Sequence, residues 1–332
     1  MKKKFLIYLT SLFTALLFLS SCQKETQLNT ETPVANENSL QASKNDDDKP
    51  ECQLKHLDYG TGYTLDFKYN NKGLASEVLL SYSDGYFERH AIFYDNKDRL
   101  IKTRIVSSDL TIIVFDFSHS GDLITRANGY YEDSHEPWRD IRYSYNHKGQ
   151  MTKLDDIVQD VHMKYFYNNQ GSNTYSELYF GTDLYLTTDL AFKIPNRNPF
   201  LAVNGLDFGF WDFFLPLWEQ RWESYDRWVI YEEGSPVIIL DTDPAKTTMI
   251  TGPHNYLTAD TKYDRISESY FTETMTYKNC GGHENENNND AATPSGKQFK
   301  QLSPVAKLQR ILNGPSKNIK KQLKDLKTQL RK

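Results

Sequence analysis

The chain has 332 residues, 38% of them hydrophobic and 14% aromatic, with a formal charge of −5 at neutral pH. That aromatic share excludes an intrinsically disordered chain, which is poor in such residues. Three cysteines exclude a disulfide-dense miniprotein, and the one apolar run approaching a membrane span is N-terminal.

Met1-Lys2-Lys3-Lys4 is a positive leader, and Phe5 to Leu19 is apolar except for Thr and Ser. This is the pattern of a secretory signal peptide, too short and wrongly flanked for a spanning helix. It ends in Leu19-Ser20-Ser21-Cys22, which resembles the lipobox of bacterial lipoproteins. That resemblance implies cleavage before Cys22, acylation of its thiol and a lipid anchor in the outer membrane. Ordinary cleavage after Ser21 is the competing reading. Residues 22–50 are rich in Asn, Thr, Glu and Ser without hydrophobic periodicity, as expected of a flexible tether. Gln23-Lys24-Glu25 is similar to the surface-export signal of Bacteroidetes lipoproteins, with one acid in place of a run. The localisation is therefore either periplasm-facing or on the cell surface. Asp46-Asp47-Asp48 lacks the alternating ligands and the Gly of a calcium loop, and reads as a hydrated acidic stretch.

Residues 51–280 carry an internal repeat. Tyr69-Asn70-Asn71-Lys72-Gly73-Leu74 recurs at Tyr94-Asp95, Phe117-Ser118, Tyr145-Asn146 and Tyr167-Asn168, with Tyr225-Asp226-Arg227 and Tyr263-Asp264-Arg265 as degenerate relatives. Before each turn the chain alternates, as in Tyr63, Leu65, Phe67 and Tyr69 against Thr64, Asp66, Lys68 and Asn70. Period two with aromatic residues is a half-buried strand. The Asn or Asp can bond the backbone two residues on, and the Gly supplies a positive φ, so each unit is a hairpin. Asp98 stands where the Gly would be in the second copy, a substitution Asp tolerates better than most residues.

These units resemble the YD repeat of Rhs and teneurin-type proteins, and the region 52–280 is similar to the YD-repeat lipoproteins of Bacteroidetes, a family of uncharacterised function. Five clear copies are too few for an enclosing cage, so the expected fold is all-β: an open, twisted antiparallel meander of YD-type hairpins. Within it, Trp211, Phe214, Leu215, Trp218 and Trp222 step by three and four, which predicts a short aromatic helical insertion. Two readings stay open for it. The insertion packs on the sheet as core, or Trp211, Trp218 and Trp222 form an exposed platform for a ligand such as a glycan.

Cys52 and Cys280 bracket the repeat region. Outside the cytoplasm they either pair in a disulfide or stay as separate thiols, since the ends of a long meander can lie far apart. Residues 281–296 read as a disordered linker, and 297–332 as a basic amphipathic helical tail. Residues 281–332 carry a net +7, against −12 for 51–280. Ser303-Pro304 is an N-cap signature, Gly314-Pro315 stops the first helix, and Ile319, Leu323, Leu326 and Leu330 form the stripe of a second. The tail either docks on the acidic repeat domain or attaches to an anionic surface or partner helix.

The eight His show no paired-ligand spacing, and no GxSxG, phosphate loop or CxxC is present. Asp241 and Asp243 are the one close carboxylate pair considered, and a solvated turn is their simpler reading. No catalytic residue, cofactor or metal is expected. The function read from the sequence is a lipid-anchored binding or structural module of the cell envelope. Its partners are the membrane, through Cys22, and a glycan or envelope protein, with nucleic acid excluded by the exported setting. The alternative is an envelope glycan hydrolase or glycan-binding surface protein using exposed aromatics and carboxylates.

Overall fold

The computed structural model describes residues 52–197, 200, 203, 221–232, 235–280, 302–313 and 319–330. The signal peptide, Cys22, the tether and the 281–296 linker fall outside the described residues, as do Trp211 and Trp218.

Seventeen strands follow one another: β1 (Gln53–Asp58), β2 (Tyr63–Tyr69), β3 (Ala75–Tyr82), β4 (Phe87–Tyr94), β5 (Leu100–Ser107), β6 (Ile112–Ser120), β7 (Leu123–Tyr131), β8 (Pro137–Tyr145) and β9 (Met151–Asp156) come first. Then come β10 (Val161–Tyr167), β11 (Asn173–Phe180), β12 (Asp183–Arg197), β13 (Arg221–Glu232), β14 (Ser235–Asp241), β15 (Thr248–Thr251), β16 (Leu257–Asp264) and β17 (Ser269–Lys278). Among the described residues two α-helices follow, α1 (Pro304–Asn313) and α2 (Ile319–Leu330). The all-β antiparallel meander with a helical tail is therefore the fold of this chain.

The turns show why these residues form hairpins. In four of the repeat units the Asn or Asp carboxamide or carboxylate accepts from the backbone N–H groups two and four residues ahead, as Asn70 does from Lys72 and Leu74. A backbone bond from the left-handed residue to the Asn/Asp carbonyl closes the turn. The left-handed position is Gly73 (φ 80°), Asp98 (φ 60°), Gly149 (φ 77°) and Gly171 (φ 88°). The unit at Phe117 lacks the Asn/Asp and turns differently: Ser120 pairs with Leu123 across a two-residue loop at Gly121. Tyr225-Asp226-Arg227 is no turn at all but the middle of β13, because all three residues pair with β12 and Arg227 pairs with β14 as well.

The leading tyrosine has its own task. Tyr69, Tyr94, Tyr145, Tyr167 and Tyr277 each donate a hydroxyl hydrogen bond of 2.6–2.7 Å to a carbonyl of a neighbouring strand, at Leu54, Ala75, Ile124, Met151 and Leu257 respectively. Each ring packs against the core while its hydroxyl fastens a strand end, which is how a buried tyrosine is satisfied.

Pairing runs antiparallel from β1 to β14, from β15 to β17, and between β17 and β1. The termini of the meander are thus interior to the sheet, and its edges are β14 and β15. No ladder joins those two among the described residues; a 3-10 turn at Pro244–Lys246 links them, and one bridge, Thr242↔Asp264, ties β14 to β16. Cys52 and Cys280 are joined by a disulfide, with Cα atoms 4.1 Å apart, beside the β1–β17 ladder.

The two faces differ in chemistry. One face carries the core, including Leu65, Phe67, Val78, Ile105, Ile141, Met163, Leu178 and Trp228, and the helices bury Leu308, Leu312, Ile319, Leu323 and Leu326 in the same cluster. The opposite face carries ion pairs: Lys68–Glu77 at 2.7 Å, a two-pronged Arg104–Glu132 pair and Arg126–Asp140 at 2.7 Å between strands, and Lys153–Asp155 at 2.8 Å along β9. A membrane-spanning barrel presents an apolar band on its outward face; here that face is charged.

Candidate functional site

The Asn/Asp turns mark one end of the strands; the opposite end, formed by the turns at 59–62, 83–86 and 108–111, receives the helices. Ser303 caps α1, its Oγ accepting from the Ala306 N–H, and its own N–H donates to the Thr61 carbonyl. Arg310 pairs with Asp84 and lies over the rings of Tyr86, at 4.0 Å, and Tyr82. The buried Arg139 donates to the Leu312 carbonyl, one of the groups an α-helix leaves unbonded at its C-terminus. Its other nitrogen lies 3.4 Å from Asp156. Burial presses both members of that pair towards neutrality, lowering Arg139 and raising Asp156, while their mutual attraction opposes it. On α2, Lys327 donates to the Tyr231 carbonyl and sits 4.2 Å from the Tyr185 ring. Of the two readings open for the tail, docking on the repeat domain is the arrangement of these helices.

Docking leaves a gap. A cavity of about 460 Å³ lies between the helices and the strand-end turns, with Asp84, Tyr86 and Asp109 on one side and Lys307, Gln322 and Asp325 on the other. A hydrogen-bonded wall descends from it into the interior. The Tyr86 hydroxyl donates to Glu88, His90 Nε2 lies 3.2 Å from the same carboxylate, and Ser107 Oγ donates to Asp109. That bond and the Thr111 N–H hold Asp109 below the usual carboxylate range despite partial burial. Leu302, Ile311, Leu326 and the Tyr86 ring, with convergent charged and amide groups around a few hundred cubic ångströms, are the make-up of a small-ligand site.

A second polar cluster lies on the core face of β13, β16 and β17. Lys262 Nζ, with no exposed side-chain surface, lies 2.8 Å from Asp226, 3.2 Å from Glu273 and 3.4 Å from Asp260. Burial raises Glu273 to about 7, opposed by Lys262 and reinforced by Asp260 and Asp226. Sequence reasoning missed this group because its four residues are scattered over 48 positions; only period two on β16, with Asp260 and Lys262 on one face, hinted at it.

Asp241 and Asp243, singled out as a carboxylate pair, bracket one guanidinium: Arg265 lies 3.3 Å from the first and 3.1 Å from the second. Asp243 also caps the 3-10 turn by accepting from the Ala245 N–H. Trp222, expected on a helical stripe, falls on β13; the ladder to β12 extends that strand back to Arg221 and overrides the three-and-four periodicity. Phe200 and Val203, from the segment preceding it, are buried, with the Phe200 ring 6.4 Å from Phe67. Among the described residues, no group of His, Cys, Asp and Glu has the arrangement of a metal site.

No protein-family model matches the chain, and no curated protein does. Among solved structures, a porin-like protein from Bacteroides uniformis ATCC 8492 is 11% identical, with a TM-score of 0.42 over 68% of this chain and 94% of that one. A porin-like protein from Bacteroides vulgatus ATCC 8482 is 9% identical, with a TM-score of 0.33 over 68% and 98%. The TcdB2-TccC3-TEV structure is 10% identical, with a TM-score of 0.22, and this chain covers 8% of it.

Proposed function

We propose that this chain is a lipid-anchored binding module of the cell envelope, held to the outer membrane through Cys22 and related to the YD-repeat lipoproteins its turns resemble. The observation that carries the binding role is the cavity between α1, α2 and the strand-end turns. Its position supports the reading. Cys52 is bonded to Cys280 at the Asn/Asp-turn end of the strands, and the cavity lies at the opposite end of the same sheet, under the helices.

The alternative of a glycan hydrolase draws on one observation, the elevated Glu273 beside Asp226 and Asp260, two carboxylates of the kind an acid–base pair needs. Lys262 binds all three on the core face, a structural arrangement, and the binding reading is preferred.

Two measurements test the proposal. Replacing Cys22 by Ser moves the protein from the membrane fraction to the soluble one. A thermal-shift screen of the full chain with small saccharides, amino acids and dipeptides finds a stabilising ligand whose effect is lost in a Lys307→Ala, Asp325→Ala double variant and which is recovered chemically unchanged. Absence of any stabilising ligand, or its cleavage, overturns the binding role.

A further inference from the structure

The outer wall over β10–β14 differs from the rest of the charged face. Five side chains at directly opposed positions form a row across it: Phe166, Tyr175, Asp189, Arg227 and Asp241. At ordinary strand spacing the row is roughly 19 Å long, the length of a short oligosaccharide. Phe166 is 42% exposed although it sits mid-wall, and its ring is 5.5 Å from that of Tyr175. Tyr225, two residues before Arg227 on β13, shares its outward parity and is raised above the usual phenol range by burial and the nearby Asp241. Asp189 is directly opposed to Tyr175 on one side and to Arg227 on the other, with its carboxylate 3.9 Å from the Arg227 guanidinium.

We propose that this strip is a binding site for a neutral polysaccharide, with Phe166, Tyr175 and Tyr225 stacking on sugar rings and Asp189 and Arg227 taking hydroxyl groups. The aromatic rings offer flat apolar surface that the C–H face of a pyranose matches. Between them a carboxylate and a guanidinium, too far apart for a short ion pair, present an acceptor and donors to adjacent hydroxyls. Asp189 stands against Arg227, while Arg265 is shared by Asp241 at 3.3 Å and Asp243 at 3.1 Å, which leaves the border of the strip with one excess negative charge. A slightly negative strip with an aromatic border repels anionic polymers and has no salt-dependent attraction to offer neutral ones. Partial burial raises the Asp189 carboxyl, opposed by Arg227, while its side chain stays 41% exposed and open to a ligand hydroxyl. The strip lies on the wall and shares no residue with the strand-end cavity, so its failure would leave the cavity reading intact.

Affinity electrophoresis tests it, with the full chain run through gels containing a soluble β-glucan, xylan or mannan, and polygalacturonate as the anionic control. The expected result is retardation by at least one neutral polymer, unchanged by 0.5 M salt. Tyr175→Ala with Tyr225→Ala should weaken the retardation tenfold or more, and Phe166→Ala several-fold. Phe166 is exposed, so its variant folds and keeps the test decisive should the tyrosine pair destabilise the sheet. No retardation by any neutral polymer overturns the proposal. So does retardation that Phe166→Ala leaves untouched, retention by polygalacturonate alone, or a proline-rich peptide found to occupy the strip.

Discussion

Lys262 is the side chain on which the β13–β16–β17 wall depends most. It holds three carboxylates on the core face, and removing one partner of a buried charged group leaves the others uncompensated. Lys262→Met is therefore expected to cost about 3–5 kcal/mol in urea unfolding at neutral pH. Glu273 makes the same wall sensitive to pH. Its carboxyl is raised to about 7 by burial, against 4.5 for an ordinary glutamate, so the folded chain binds the proton more tightly. Stability from this group is fully present below pH 4.5 and falls as pH rises to about 7, by roughly 3 kcal/mol at most. Glu273→Gln should flatten that part of the stability profile; an unchanged slope between pH 5 and 7 would remove Glu273 as its source. Neither residue stood out in the sequence, where an isolated Lys and three distant acids look like surface charge.

Hairpin by hairpin, the molecule repeats one device: an Asn/Asp cap, a left-handed residue and a tyrosine hydroxyl fastened to the neighbouring strand. Tyr145→Phe keeps the ring and deletes the bond to Ile124, which should cost about 1 kcal/mol or more, because that carbonyl then loses a partner. At Gly149, φ is 77° and a Cβ would meet nothing within 4 Å, so Gly149→Ala should cost about 1 kcal/mol through backbone strain alone. Chemical denaturation of the two variants measures both. The cap, the left-handed residue and the period-two strands were legible in the sequence, since they lie within a few residues; the hydroxyl bond was not, because its carbonyl lies 15–21 residues away. Nor was the place of Trp222. The three-and-four spacing put it on a helical stripe, whose other residues lie outside the described ones, but from Arg221 the chain is committed to β13 by pairing with β12, a contact local periodicity cannot contain. Tyr225-Asp226-Arg227 misled for the same reason. Its residues copy the turn motif, yet Asp226 faces Lys262 and lies within a strand paired on both sides.

Across the whole molecule, the sheet brings its first and last strands together and takes the tail helices at the opposite end. Burial of Leu308, Leu323 and Leu326 under the strand-end turns predicts that Leu323→Asp releases the tail, seen as new protease cleavage after residue 300 with the sheet intact. The Cys52–Cys280 link spans 228 residues and should stabilise the folded chain by up to about 5 kcal/mol relative to its reduced form. Spacing alone left the pairing of those thiols open, because whether a meander's ends meet is decided by accumulated twist over all its strands. Non-reducing peptide mapping of the folded protein, alkylated without prior reduction, asks this directly. Wrapping of β17 onto β1 predicts one cross-linked peptide containing Cys52 and Cys280. Recovery of both as separately alkylated thiols would mean that the first and last strands do not meet.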